Sequence, residues 1–252
     1  MPKAEKDDTP VVPHDVAAIR QAIKNFFDWR DEEGRKACSA KCGVYAFYDY
    51  DGEPIYVGKT YERLRARMSR HLTNQRSDAV AMSVLDPFEV AEIEVYPFYE
   101  LEKPKEGEDR KEYTKRINAV LDRAEYTLFQ KVLKESSLGA VLNEGEIAEA
   151  ELIDLPKSYR GRIIPEGLFP LRKHPDVRIA RRASTIAALA RVISEREVSG
   201  GLRRTLRTQA RRLEKLAAER FKDFEDEVPT EPSGDELGAD GPKDEEISEE
   251  AE

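Results

Sequence analysis

The segment 43–59 constrains the fold more than any other part of the chain. Two apolar, aromatic-rich runs flank an Asp51-Gly52 dipeptide. An Asp-Gly pair between two such runs indicates a β-hairpin, because glycine adopts the positive φ that a tight turn requires. We therefore predict that Tyr45 and Tyr56 lie on neighbouring antiparallel strands. Each of them is close to a glycine, which lets another chain segment or a ligand approach the backbone.

The segments on either side of the hairpin have the periodicity of helices and of one further strand. Together they predict an α/β (α+β) fold, in which a small three-stranded antiparallel sheet is flanked by helices. The expected elements are a helix capped by Asp15 and ended by Gly34, a helix over 61–72, a strand over 88–98 and a long helix over 113–134.

Charge is distributed unevenly along the 252 residues, although the net charge is only −9. Residues 157–222 contain 18 basic and 6 acidic side chains, whereas residues 223–252 contain 14 acidic side chains and one lysine. A basic block of this kind suggests a surface that binds a polyanion, and the acidic segment after it is a possible competitor for that surface.

Composition also suggests how the chain divides into parts. We expect a flexible arm over 1–13, a globular domain with an N-terminal helix over 14–156, a basic helical appendage over 157–224 and a disordered acidic tail over 225–252. The appendage should begin with an irregular linker over 159–175 and continue as a helical hairpin interrupted at Gly200-Gly201. Leucines near heptad spacing in its second helix would also suit a homodimer.

The sequence offers no sign of a membrane protein or of a secreted one. No apolar run approaches the roughly 18 residues that a membrane span needs. The first eight residues are mostly polar and lack the apolar core of a secretion signal. We expect a soluble, cytoplasmic protein.

The Gly43-Val44-Tyr45 and Tyr56-Val57-Gly58 tripeptides resemble the paired motif of the GIY-YIG nuclease family, with valine in place of isoleucine in both. The residues that follow in the order of that family extend the resemblance over about 40–147, and they are Arg67, His71, Glu125 and Asn143. The Arg-x-x-x-His spacing is most similar to the restriction-endonuclease branch. The resemblance implies that the chain is a DNA endonuclease with a GIY-YIG core.

The resemblance also implies a catalytic role for each matching residue. Glu125 would be the metal ligand, for Mg²⁺ or another divalent cation such as Mn²⁺. Tyr45 would be the general base towards water, and a tyrosine needs nearby positive charge for this role because its usual pKa is about 10. Lys59 and Arg67 would provide that charge.

The remaining members of the set would assist the reaction. Arg67 would also hold the scissile phosphate with its guanidinium group. His71 would accept a proton relayed from Tyr45 or bind phosphate, Tyr56 would orient water or phosphate, and Asn143 would tie the site together. Arg63 and Arg65 remain alternatives for the catalytic arginine.

DNA is the expected partner, bound mainly through its phosphates. The candidate DNA-binding residues are Arg63, Arg65, Arg70, Arg203, Arg204 and Arg207. Restriction or defence against foreign DNA is the expected setting. The alternatives are a structure-specific nuclease of DNA repair or recombination, and a non-catalytic DNA-binding protein on a nuclease scaffold.

Overall fold

The structure is a computed structural model that describes residues 13–72, 86–143 and 145–227. The predicted N-terminal arm, apart from Pro13, lies outside the described residues. The acidic tail predicted over 225–252 lies outside them as well, apart from its first three residues. These three residues continue the last helix, which ends at Glu227.

The centre of the fold is an antiparallel sheet in the order β2-β1-β3-β4. As predicted, the first two strands form a hairpin, and Gly52 at its turn has a φ of +75°. The strands are β1 (Gly43–Tyr48), β2 (Pro54–Thr60), β3 (Glu92–Pro97) and β4 (Tyr159–Arg162).

The sheet has four strands, so the prediction of three strands is wrong. The fourth strand lies within 159–175, which the sequence predicted to be an irregular linker, and it follows the domain boundary predicted after residue 156. Its Tyr-Arg-Gly-Arg sequence lacks alternating apolar residues, because it pairs as an edge strand along β3. Arg160 donates a hydrogen bond to Glu92 across that pair at 2.7 Å. The absence of a side chain at Gly161 leaves room for the ring of Phe26.

Six helices accompany the sheet within the described residues. The three associated with the first 156 residues are α1 (His14–Asp28), α2 (Leu64–Leu72) and α3 (Arg110–Glu135). The three that follow β4 are α4 (Phe169–Lys173), α5 (Pro175–Glu195) and α6 (Gly200–Glu227).

The helix ends differ from the predicted ends where the backbone is not helical or where a cap is present. Asp15 lies inside the first turn of α1 rather than at its cap, and the helix ends before the turn that contains Gly34. α2 begins three residues later than predicted, because Arg63 has a φ of +106°, which is not helical. α3 begins three residues earlier, because Asp109 and Glu112 form a capping box.

The third strand is shorter than the predicted segment 88–98. Its first residues form a short 3₁₀ turn over Pro87–Glu89, in which the N–H of Phe88 donates to the side chain of Asp86 at 2.9 Å. A turn with a side-chain cap therefore replaces the start of the expected strand.

The two faces of the sheet are covered by different helices. One face packs against α3, which contributes a stripe of buried residues at helical spacing: Ile117, Leu121, Ala124, Leu128 and Val132. The other face packs against α1 and α2 through Phe27, Leu64 and Met68. Side chains of β1 that alternate in direction therefore enter two separate cores.

The helical hairpin of α5 and α6 docks on the turn of the β1–β2 hairpin through buried ion pairs. Asp49 Oδ2 accepts hydrogen bonds from Arg178 at 3.1 Å, from Arg182 at 2.9 Å and from Arg212 at 2.8 Å. The side chains of the three arginines are 1%, 7% and 2% exposed. Three of the 18 basic residues in the appendage therefore hold the fold together and do not form a solvent-facing basic surface.

The leucines proposed as a dimer seam, Leu206 and Leu213, are already partly buried within the chain. Two other leucines of α6, Leu202 and Leu216, are 2% and 6% exposed, and α6 packs along α5. The seam therefore gives no support for a homodimer. Within the described ranges, no helix is long and apolar enough to cross a membrane.

We predict that Asp49→Asn lowers the free energy of unfolding by about 3–5 kcal/mol, because it leaves three buried guanidinium groups without their shared carboxylate. Urea unfolding at neutral pH measures this loss. Asp51→Asn is the matched control, since the Asp51 side chain is 46% exposed and also pairs with Arg178. The control should lose about 1 kcal/mol or less, and equal losses in the two variants would contradict the prediction.

Candidate active site

Two glycines of the hairpin strands, Gly43 and Gly58, lie where neighbouring groups leave no room for a Cβ atom. Gly58 pairs with Tyr45 across the two strands. A Cβ atom at position 58 would lie 2.6 Å from the hydroxyl oxygen and 2.7 Å from Cζ of Tyr45. A Cβ atom on Gly43 would lie 2.7 Å from the carbonyl oxygen of Tyr96 and 2.8 Å from a methyl group of Leu64. Both positions therefore require glycine for close approach rather than for an unusual φ.

Tyr45 is fully buried between β1 and α2. Its hydroxyl oxygen lies 3.0 Å from Nε2 of His71, and the two groups share one hydrogen bond whose direction depends on the tautomer of the imidazole. The ring of Tyr56 completes the group, with its centroid 6.2 Å from that of Tyr45 and 5.0 Å from that of His71. The predicted pair of tyrosines and the predicted histidine are thus in one place.

Burial raises the pKa of Tyr45 well above its usual value of about 10. The neighbouring Tyr56 raises this pKa further, whereas the guanidinium of Arg67 lowers it. The phenol is therefore neutral at pH 7, and it needs more positive charge nearby before it can act as a base.

Arg67 is the arginine of this segment that approaches Tyr45. Its Nε is buried and has no hydrogen-bond partner among the described residues. Arg65 instead donates to Asp28 at 3.1 Å, and Arg63 is exposed before the start of α2. The geometry therefore favours Arg67 over the two alternatives that the sequence left open.

Lys59 lies on the opposite side of β2 from the tyrosines, because successive side chains of a strand alternate in direction. Its Nζ donates to Glu125 Oε2 at 2.6 Å and lies 2.7 Å from Oδ1 of Asp122. The ammonium is thus bound by two carboxylates of α3 and does not point at Tyr45. This placement does not support Lys59 as a direct source of charge for the phenol.

Glu125 is 14% exposed at the edge of the α3 stripe. Burial is the main cause of the raised pKa of Tyr45, but the charge of Glu125 also contributes to it. The carboxylate is therefore close enough to act electrostatically on the phenol, although the two side chains belong to different faces of the sheet. The sequence analysis did not identify Asp122 as a member of the site. Its position three residues before Glu125, on the same face of a predicted helix, could have indicated it.

Asn143 binds the backbone of β2. Its Oδ1 accepts from the N–H of Val57 at 3.1 Å, and its Nδ2 donates to the carbonyl of Val57 at 2.7 Å. The N–H of Leu142 donates to the carbonyl of Ile55 at 2.7 Å. The side-chain amide of Asn143 therefore satisfies the backbone polar groups that a neighbouring strand would otherwise bind at the free edge of β2. It holds in place the backbone of Val57, between Tyr56 and Gly58.

The residues present fit a weakly held divalent cation. Magnesium keeps several waters and needs only one or two carboxylates from a protein. Glu125 and Asp122 offer two carboxylates that lie close together, since both of them contact the ammonium of Lys59. In the described part of the chain, no group of three or more His, Cys, Asp or Glu side chains could hold a metal. Any metal site here would depend on the substrate for further ligands.

Comparison with known families gives one match. Residues 41–118 match the family model of the GIY-YIG catalytic domain. The match includes both tyrosines of the hairpin and the whole of α2, whereas Glu125 and Asn143 follow it in the chain. No curated protein and no solved structure gives a significant match.

We predict that Gly58→Ala lowers the free energy of unfolding by about 1–3 kcal/mol, because the new methyl group must displace the ring of Tyr45. Gly167→Ala is the matched control, since a Cβ atom there would have no other atom within 4 Å. Urea unfolding of both variants measures the effect. An unchanged stability of Gly58→Ala would show that Tyr45 is not held in the place described.

Proposed function

Because the chain contains a GIY-YIG catalytic domain, which indicates a nuclease, we propose that it is a metal-dependent endonuclease that hydrolyses phosphodiester bonds of DNA. The observation that carries this proposal is that three side chains, His71, Arg67 and Glu125, act on the hydroxyl of Tyr45. The hydroxyl of Tyr45 lies against Gly58 and 3.0 Å from His71, the guanidinium of Arg67 is beside it, and the charge of Glu125 acts on it.

Tyr45 and His71 form a path for a proton. When Nε2 of His71 is unprotonated, the Tyr45 hydroxyl donates to it, and transfer of that proton leaves a phenolate that can accept a proton from water. A phenolate beside Arg67 is stabilised by the guanidinium, which already lowers the pKa of Tyr45. The pair therefore supplies a base that the buried tyrosine alone would not.

Arg67 is the group proposed to hold the scissile phosphate. Its buried Nε lacks a partner among the residues that the structure describes, and a buried donor without an acceptor is costly. A phosphate oxygen would satisfy that donor and gain a charge-assisted hydrogen bond. The same contact would place the phosphorus near the hydroxyl of Tyr45.

Glu125 is the proposed ligand for Mg²⁺ or Mn²⁺. A bound ion would neutralise charge that develops on the phosphoryl oxygens. Tyr56 packs against the rings of both Tyr45 and His71 and would orient the water or the phosphate. Asn143 is a positioning residue in this proposal, since it holds the backbone of β2 and does not reach the phosphate.

The DNA surface is proposed to extend along α6. Arg203 and Arg207 are exposed and lie four residues apart on one helical face, and they have no ion pair with any residue in the described ranges. Arg204 pairs with Glu146 at 3.0 Å. This pair brings the start of α6 beside the segment that follows Asn143, so the exposed arginines would continue the surface away from the site.

The setting proposed is restriction or defence against foreign DNA, and it rests on the Arg-x-x-x-His spacing of Arg67 and His71. Discrete fragments from plasmid DNA would support it, because a restriction enzyme cuts at fixed sequences. Cleavage confined to branched or damaged DNA would instead favour a repair nuclease. Binding without cleavage of any DNA form would favour a non-catalytic DNA-binding protein.

We predict that the purified chain cleaves plasmid DNA with Mg²⁺ and that EDTA stops the reaction. Tyr45→Phe should slow cleavage about 10²–10⁴-fold, because it removes the general base, and Glu125→Ala should remove cleavage while DNA binding persists. Glu135→Gln is the matched control on the same helix and should cleave at the normal rate. Cleavage by Glu125→Ala at the wild-type rate would overturn the metal assignment.

We predict that the Arg203→Ala/Arg207→Ala variant binds random-sequence duplex more weakly. The slope of log K against log salt concentration should fall by about 2, because two phosphate contacts are lost. Fluorescence anisotropy without divalent ions measures both quantities. Arg65→Ala is the matched control, since that guanidinium is already paired with Asp28, and an equal change in its slope would contradict the assignment.

A further inference from the structure

Lys59 bridges two carboxylates that differ in their exposure. Its Nζ lies 2.6 Å from Oε2 of Glu125 and 2.7 Å from Oδ1 of Asp122. The Glu125 side chain is 14% exposed and that of Asp122 is 57% exposed. The ammonium therefore joins an inner carboxylate to an outer one, and the two carboxylates lie three residues apart on one face of α3.

The ammonium occupies one of the two oxygens of the Glu125 carboxylate, because Oε2 accepts a hydrogen bond from Lys59. A divalent cation on this carboxylate would repel the ammonium, whichever of the two oxygens it bound. Binding of a metal ion to Glu125 would therefore weaken the contact between Glu125 and Lys59. A lysine with no other anion nearby would compete strongly with the ion for Glu125.

Asp122 offers Lys59 another carboxylate to which it is already bound. The flexible lysine side chain would keep this ion pair after release from Glu125, so the release would cost only one of two contacts. We propose that Asp122 is a positioning residue that retains Lys59 beside the site when Glu125 ligates a divalent cation. This proposal rests on the proposed metal-dependent function and assigns a role to a residue outside the family match.

The proposal gives opposite effects for the two partners of the ion pair. Asp122→Asn leaves Lys59 bound to Glu125 alone, so Mn²⁺ binding should weaken about two- to fivefold, the range that a half-exposed ion pair supports. Lys59→Met removes the competing ammonium, so Mn²⁺ should bind more tightly than to the wild type. In the Lys59→Met background, a further Asp122→Asn change should have little effect on binding.

Electron paramagnetic resonance of free Mn²⁺ during titration of the full chain measures these dissociation constants directly, with and without random-sequence duplex. Glu135→Gln is the control for the loss of one negative charge on α3, since its side chain is 43% exposed and its only ion-pair partner in the described residues, Lys131, is 3.9 Å away. It should bind Mn²⁺ as the wild type does. Thermal unfolding of each variant confirms that it is folded.

Two results would overturn the proposal while leaving the metal site intact. The first is an unchanged dissociation constant in Asp122→Asn when Glu125→Gln has lost binding. The second is an equal loss from Asp122→Asn with and without Lys59, which would mean that Asp122 acts on the ion itself. Wild-type binding by Glu125→Gln, or no saturable binding by the wild type, would overturn the metal assignment and this proposal together.

Discussion

The hydroxyl of Tyr45 occupies the space that a side chain at position 58 would take, and the candidate site depends on this contact. The pairing of Tyr45 with Gly58 fixes the register of β1 and β2. A shift of one residue would reverse the face of every side chain on β2. The observed register places Tyr56 beside His71 and sends Lys59 to the opposite face, where it meets Glu125. One register thus determines both halves of the site.

Two further sets of contacts hold the hairpin in place. At the free edge of β2, the amide of Asn143 binds both polar groups of Val57. At the turn, Asp49 accepts from the backbone N–H groups of Asp51 and Glu53 while binding three arginines of α5 and α6. The appendage is therefore a structural support of the hairpin as well as a candidate DNA surface.

The sequence predicted the hairpin, α2 and α3, because glycine chemistry and apolar periodicity are local properties. It did not predict β4, whose polar residues are held by backbone pairing with a distant strand. It also treated Arg178 as part of a solvated basic surface, since a charge count contains no information about partners. Asp122 was missed for the same reason, because its significance comes from Lys59, which lies 63 positions away in the chain.

The burial of Tyr45 has a consequence for how the site would be switched on. In the free protein the phenol is neutral at pH 7, because burial raises its pKa more than Arg67 lowers it. Lys59 adds little, since two carboxylates neutralise its charge. In the proposed mechanism, a divalent cation that accompanies the phosphate would add positive charge to that of Arg67 and would further favour the phenolate. Proton transfer from Tyr45 to His71 would then be most favourable in the complex with substrate, so that the base would form mainly when the bond to be cut is present.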